Sequence, residues 1–150
     1  MARRITFSVE ARTAASRADV YDLLRDGATW PTWSPIGSFR LEREGPEGGE
    51  TLGAIRVFTT GTVRSREVLT ALEPDRRLAY TALSGLPMRN HEATVELADR
   101  DGGTVITWTE SFEGRGGTGW MVRLVLRRFL QRCADGLARH AATLAATSAS

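Results

Sequence analysis

Apolar and polar residues alternate along most of this chain with the period of two that marks strands buried on one face. Ile5, Phe7, Val9 and Ala11 alternate with Thr6, Ser8, Glu10 and Arg12, which predicts an opening strand. Six further strands are predicted near residues 39–43, 52–59, 63–72, 77–83, 91–98 and 104–113. Between them lie GPEGGE, Thr60-Gly61, EPDRR, SGLPMRN and RDGG, clusters of turn-forming residues too short for crossovers, so the strands pair antiparallel.

The period changes in three places. Ser16 can cap a short helix, Arg17 to Arg25, with Val20, Leu23 and Leu24 as its apolar stripe, Asp19 in the first turn and Gly27 ending it. The run TWPTWSP, residues 29–35, contains Pro31 and Pro35, which remove backbone donors and predict a loop or short helical turn anchored by Trp30 and Trp33. Residues 118–146 hold no proline and follow the 3.6-residue period: Val122, Val125, Leu126, Phe129, Cys133, Leu137 and Leu144 share a face, with Arg123, Arg127, Arg128, Gln131, Asp135 and Arg139 opposite. Residues 147–150 are small and polar and are expected to fray.

Seven antiparallel strands and segregated helices place the chain in the α+β class as one domain, residues 1–146. Only the last helix is long enough to cover the apolar face of the sheet, so the sheet is expected to curl around it. One helix rarely fills a concave sheet, and a cavity between the two is the expected consequence.

Composition narrows the partners. The chain has 150 residues, 41% of them hydrophobic, which suits a single core. Cys133 is its one cysteine, so no internal disulfide forms and a reducing cytoplasm is the default setting. Met1 to Ser8 lacks the apolar run of a signal peptide, and Arg123, Arg127 and Arg128 interrupt the apolar stretch from Trp120 to Leu130, so membrane insertion is not expected. All 20 basic residues are arginine and 18 carboxylates balance them, leaving a net charge of +2 that gives no reason to expect nucleic acid. Two histidines, one cysteine and no HExxH or CxxC spacing predict no metal, and without GxSxG, a Walker loop or GxGxxG no cofactor is expected. A monomer or a homodimer fits equally.

The element order, together with ASRADVYDLLRD after the first strand, TWPTWSP, the hairpin HEATVELADRDGGTVITWTESFEG and the long last helix, resembles the START/polyketide-cyclase superfamily of helix-grip proteins. That superfamily includes pollen-allergen-like plant proteins and small bacterial lipid-binding proteins. The resemblance implies a pocket for a hydrophobic small molecule, such as a sterol, lipid, polyketide or other flat hydrophobic molecule. It implies, as the alternative, a polyketide cyclase, aromatase or dehydratase working through acid–base residues in the pocket.

Strand faces supply the candidates for that pocket. His91 shares a face with Ala93, Val95 and Leu97, and on the next strand Ile106, Trp108, Glu110 and Phe112 form the inward row. With Asp101-Gly102 at the hairpin tip, Ala93 falls beside Glu110, which makes His91 and Glu110 diagonal neighbours and candidate proton donor and acceptor. The alternative is that Glu110 pairs with an arginine at the rim and His91 bonds a loop. Tyr80 faces inward with Leu78 and Ala82 and offers a phenol, while Trp30, Trp33, Trp108, Phe112, Val125, Phe129 and, more weakly because Arg56 shares its row, Phe58 are candidate walls.

Four other features stand out. Gly136 and His140 project from the apolar face of the last helix, where a glycine implies a close backbone approach or a kink. Cys133 lies among apolar neighbours and reads as core. The run EGRGGTGW, residues 113–120, reads as a hinge that lets the helix move to admit ligand, and the arginines of the outer helix face form a basic surface that reads as a solvated face, with attraction to an anionic membrane or acidic partner protein as the alternative.

Overall fold

A computed structural model describes residues 3–114 and 117–148. The elements run β1 (Arg4–Thr13), α1 (Arg17–Arg25), a 3-10 turn (Gly27–Thr29), α2 (Trp30–Trp33), β2 (Ser38–Arg43), β3 (Ile55–Thr60), β4 (Val63–Glu73), β5 (Arg77–Ser84), β6 (Arg89–Arg100), β7 (Gly103–Glu113) and α3 (Gly119–Ser148). All seven strands form one antiparallel sheet in the order β1-β7-β6-β5-β4-β3-β2, curved around the long helix as the alternation requires.

The period-two rows explain the two faces. Phe7, Val9 and Ala11 are buried on β1, as are Ala93, Val95 and Leu97 on β6 and Ile106, Trp108 and Phe112 on β7. The opposite rows stay polar, and Ser8 and Thr109 share a hydroxyl hydrogen bond of 2.8 Å across β1 and β7. Ser16 caps α1 as its position suggested, accepting from the Asp19 amide at 3.2 Å.

Several boundaries shift by one to three residues from expectation, two of them with a visible cause. The third strand starts at Ile55 rather than Leu52, because Thr51 to Gly53 form a turn in which Gly53 takes φ +87° and its amide donates to Leu69 O. The last helix continues through Ser148, so Thr147 is helical, with its hydroxyl on Thr143 O at 3.0 Å; residues 149 and 150 lie outside the described residues.

The seating of α3 decides where the interior stays open. The helix runs closest to β1, with α1 and α2 on its other side, instead of along the middle of the sheet. Its buried stripe is Leu130, Cys133, Ala134, Leu137, Ala138 and Ala141, small enough for tight approach. Thr13 Oγ1 donates to Ala138 O at 2.8 Å, tying β1 to the helix. Gly136 faces the carbonyl of Trp33, and a Cβ there would collide with it, so the glycine marks a close approach of two helices. The apolar face drawn from periodicity is too long at both ends: Val125 is 68% exposed and Leu144 43%, because the first turns of α3 overhang the open side of the sheet and the last turns run past it. His140 is half-buried.

Candidate functional site

Between the concave face of β3 to β7 and the overhanging turns of α3 lies a cavity of about 480 Å³. Its walls are aromatic and aliphatic: Trp30 from α2, Phe58 from β3, Trp108 from β7, and Leu126, Phe129 and Leu130 from α3. Val63, the loop Gly85 to Met88, Met121 and Val125 stand at its mouth, where Val63, Met121 and Val125 are exposed. The volume and lining suit an apolar molecule of modest size.

The rings are fixed by packing and by their own polar atoms. Trp30 lies 4.7 Å from Phe58 and meets Trp108 edge-on at 5.5 Å, measured between ring centroids. Trp30 Nε1 donates to Leu24 O at 3.0 Å and Trp108 Nε1 to the Tyr80 hydroxyl at 3.1 Å, which pins both indoles. Since the Tyr80 oxygen accepts from Trp108, its own proton remains available to a ligand. Burial, with Glu67 and Glu110 nearby, raises the Tyr80 pKa well above that of a free phenol and keeps it protonated.

Two carboxylates complete the wall. Glu110 pairs across the ladder with Ala93, as the hairpin register implied, and its Oε1 lies 3.3 Å from His91 Nε2. His91 Nδ1 accepts the Ala82 amide at 2.9 Å, so a neutral imidazole carries its proton on Nε2, facing Glu110. The anticipated arginine partner of Glu110 is absent among the described residues. Glu67, on β4, was not anticipated: it is buried on the cavity wall, its Oε2 accepts from Ser65 Oγ at 3.0 Å, and its Oε1 has no partner. Burial pushes its carboxyl up to about 7 against the pull of Arg56.

Arg56 lies behind this wall and is fully buried. Its guanidinium packs over Trp30 and Phe58 at 5.2 and 5.1 Å from their centroids, while Nη1 donates to Leu24 O at 3.0 Å and reaches Glu50 Oε1 at 3.4 Å. It thus braces the C-terminal end of α1 and the two rings without lining the cavity. Burial lowers its pKa from the ordinary arginine value.

Of the candidates, Trp30, Phe58, Tyr80, Trp108, Glu110, Val125 and Phe129 meet at the cavity. Trp33, Phe112 and His91 do not form its wall. Trp33 is buried against Trp30 at 4.8 Å and under α3 at Gly136, Phe112 is core beside Ile5 of β1, and His91 stands behind Glu110 where β5 and β6 part after the Tyr80–Ala93 pair. Cys133 borders the cavity with its thiol pushed up by burial, away from nucleophilic reactivity. The hinge run falls partly on residues 115 and 116, outside the described residues.

Arg123, Arg127, Arg128, Arg132 and Arg139 are all exposed on α3. No helix among the described residues is long and apolar enough to cross a membrane, and no group of metal-ligating side chains occurs among them.

Comparison with known proteins bears on this cavity. The family described as "Polyketide cyclase / dehydrase and lipid transport" matches residues 4–144. Among solved structures, Ara h 8.0201 superposes with a TM-score of 0.75 at 17% identity, over 94% of this chain and 99% of that one. XoxI of Bacillus cereus gives 0.73 at 17% identity over 91% and 94%, and a Thermobifida fusca protein solved by NMR gives 0.72 at 28% over 89% and 93%. No protein of curated function matches the sequence.

Proposed function

This chain belongs to the polyketide cyclase/dehydrase and lipid transport family, and from that premise we propose that it is a single-domain, cytoplasmic binding protein that holds one hydrophobic small molecule between its sheet and α3. The observation that carries this reading is the cavity of about 480 Å³, whose walls are almost wholly aromatic and aliphatic and whose mouth opens beneath the first turns of α3. Trp30, Phe58, Trp108 and Phe129 supply the apolar contact, and Tyr80, Glu67 and Glu110 orient a polar group. Titration with the neutral fluorophore N-phenyl-1-naphthylamine tests it. Saturable one-to-one enhancement that disappears in Leu126→Trp, which fills the cavity, is the expected result; enhancement that persists unchanged in that variant places the dye elsewhere and removes the proposal.

The contact between His91 and Glu110 favours a second reading, in which Glu110 exchanges a proton with a bound polyketide-like substrate during cyclisation or dehydration. His91 then acts as a positioning residue through its Nε2 proton. On this reading Glu110→Gln abolishes turnover of such a substrate while leaving its affinity nearly intact, and unchanged turnover dismisses it.

A further inference from the structure

The polar side of the cavity is one-sided in charge. Its lining includes Glu67 and Glu110 but no arginine, lysine or histidine among the described residues. Both carboxylates are more than nine-tenths buried, and each keeps an oxygen without a partner, Oε1 of Glu67 and Oε2 of Glu110. The one fully buried guanidinium among the described residues, Arg56, faces Glu67 across β3 and β4 and reaches Glu50, but it packs over the rings of Trp30 and Phe58 and does not line the cavity. His91 Nε2 lies 3.3 Å from Glu110 Oε1 without making a hydrogen bond, and His91 does not line the cavity.

Buried carboxylates are retained where something supplies the opposite charge or the missing donors. An anionic ligand, such as a fatty acid, would add a negative charge beside two carboxylates, with no cation in the described lining to meet it. An ammonium brings three donors to three acceptors, the two carboxylates and the second lone pair of the Tyr80 oxygen. Trp30, Phe58, Trp108 and Phe129 are the faces on which a cation's apolar body packs well.

We infer that the cavity selects hydrophobic amines: an aromatic or alkyl body along the tryptophan and phenylalanine walls, with one protonated nitrogen held by Glu67, Glu110 and the Tyr80 oxygen. This assignment rests on the cavity-binding reading and names its ligand class.

Three probes of one shape separate the two. Calorimetric titration at neutral pH with 2-(2-naphthyl)ethylamine, 2-(2-naphthyl)ethanol and 2-naphthylacetate is expected to rank amine over alcohol over acetate, with about tenfold between the first two. Glu67→Gln and Glu110→Gln, each checked for an intact thermal transition, are expected to weaken the amine about tenfold and leave the alcohol within about threefold. Equal or tighter binding of the alcohol or the acetate overturns the amine assignment while leaving the cavity reading intact, as does an amine affinity untouched in both variants. Silence from all three probes removes the cavity reading and this assignment with it.

Discussion

Glu67 weakens the fold more as the pH rises. Its carboxyl sits near 7 in the folded chain against 4.5 in the open one, with Arg56 on β3, Ser65 on its own strand, Tyr80 on β5, His91 on β6 and Glu110 on β7 around it. The raised value means the folded state holds the proton more tightly, so the loss of stability begins as pH passes about 4.5, grows to about 7 and is constant above. A shift of this size corresponds to roughly 3 kcal/mol. Glu67→Gln should therefore melt with wild type at pH 4 and above it at pH 8, by roughly 5 °C or more. A variant less stable than wild type at pH 8 would show that Glu67 is there to hold Arg56. At the same scale, Tyr80→Phe leaves Trp108 Nε1 without its acceptor, a loss of about 1–3 kcal/mol that a lowered urea midpoint should report.

These residues were not equally legible. Glu110 and His91 could be paired from the hairpin alone, because the Asp101-Gly102 tip sets the register and alternation sets the face. Glu67 is hard to place from sequence because VRSREV holds one valine and two polar residues in each row, so that Leu69, two residues on, is the main mark of its row as inward. The directly opposed Arg56 of β3 was a signal of the same kind: facing positions of opposite charge on two adjacent strands. Phe112 was misplaced as cavity lining because alternation separates inside from outside without dividing core from pocket.

Among the elements, α3 shows both what periodicity conveys and where it stops. The long helix follows from an unbroken 3.6-residue pattern, yet the part of its apolar face that is buried depends on α1 and α2, which displace it towards β1. Gly136 records that displacement, since its missing Cβ admits the Trp33 carbonyl. In an unobstructed helix Gly136→Ala would stabilise by about 1 kcal/mol. Here it should lower the melting temperature measurably, because either α2 or α3 must shift; a raised melting temperature would mean that α3 is not seated on α2. The turn Thr51 to Gly53 is the converse case, a strand shortened by one glycine at positive φ that hydrophobic alternation alone could not mark.

At the scale of the molecule, the cavity follows from that same off-centre helix. A curved sheet of seven strands has a concave face wider than one helix, and a helix seated over β1 leaves the faces of β3 to β7 to be lined by Trp30, Phe58 and Trp108 instead of filled. The existence of a pocket and the place of Glu110 in it were thus readable from element order and strand alternation, while the approach of Glu67 to Glu110 and the position of the mouth were not, because both depend on packing between segments distant in sequence.

The four tryptophans of the chain make that cavity observable. Trp30 and Trp108 line it, Trp33 is buried behind Trp30, and Trp120 is 67% exposed on the outer turns of α3. Two-dimensional nitrogen–proton spectra recorded during addition of 2-(2-naphthyl)ethanol should show the indole signals of Trp30 and Trp108 moving saturably while that of Trp120 stays in place. Movement of the Trp120 signal alone, or of none, would contradict a ligand held between the sheet and α3.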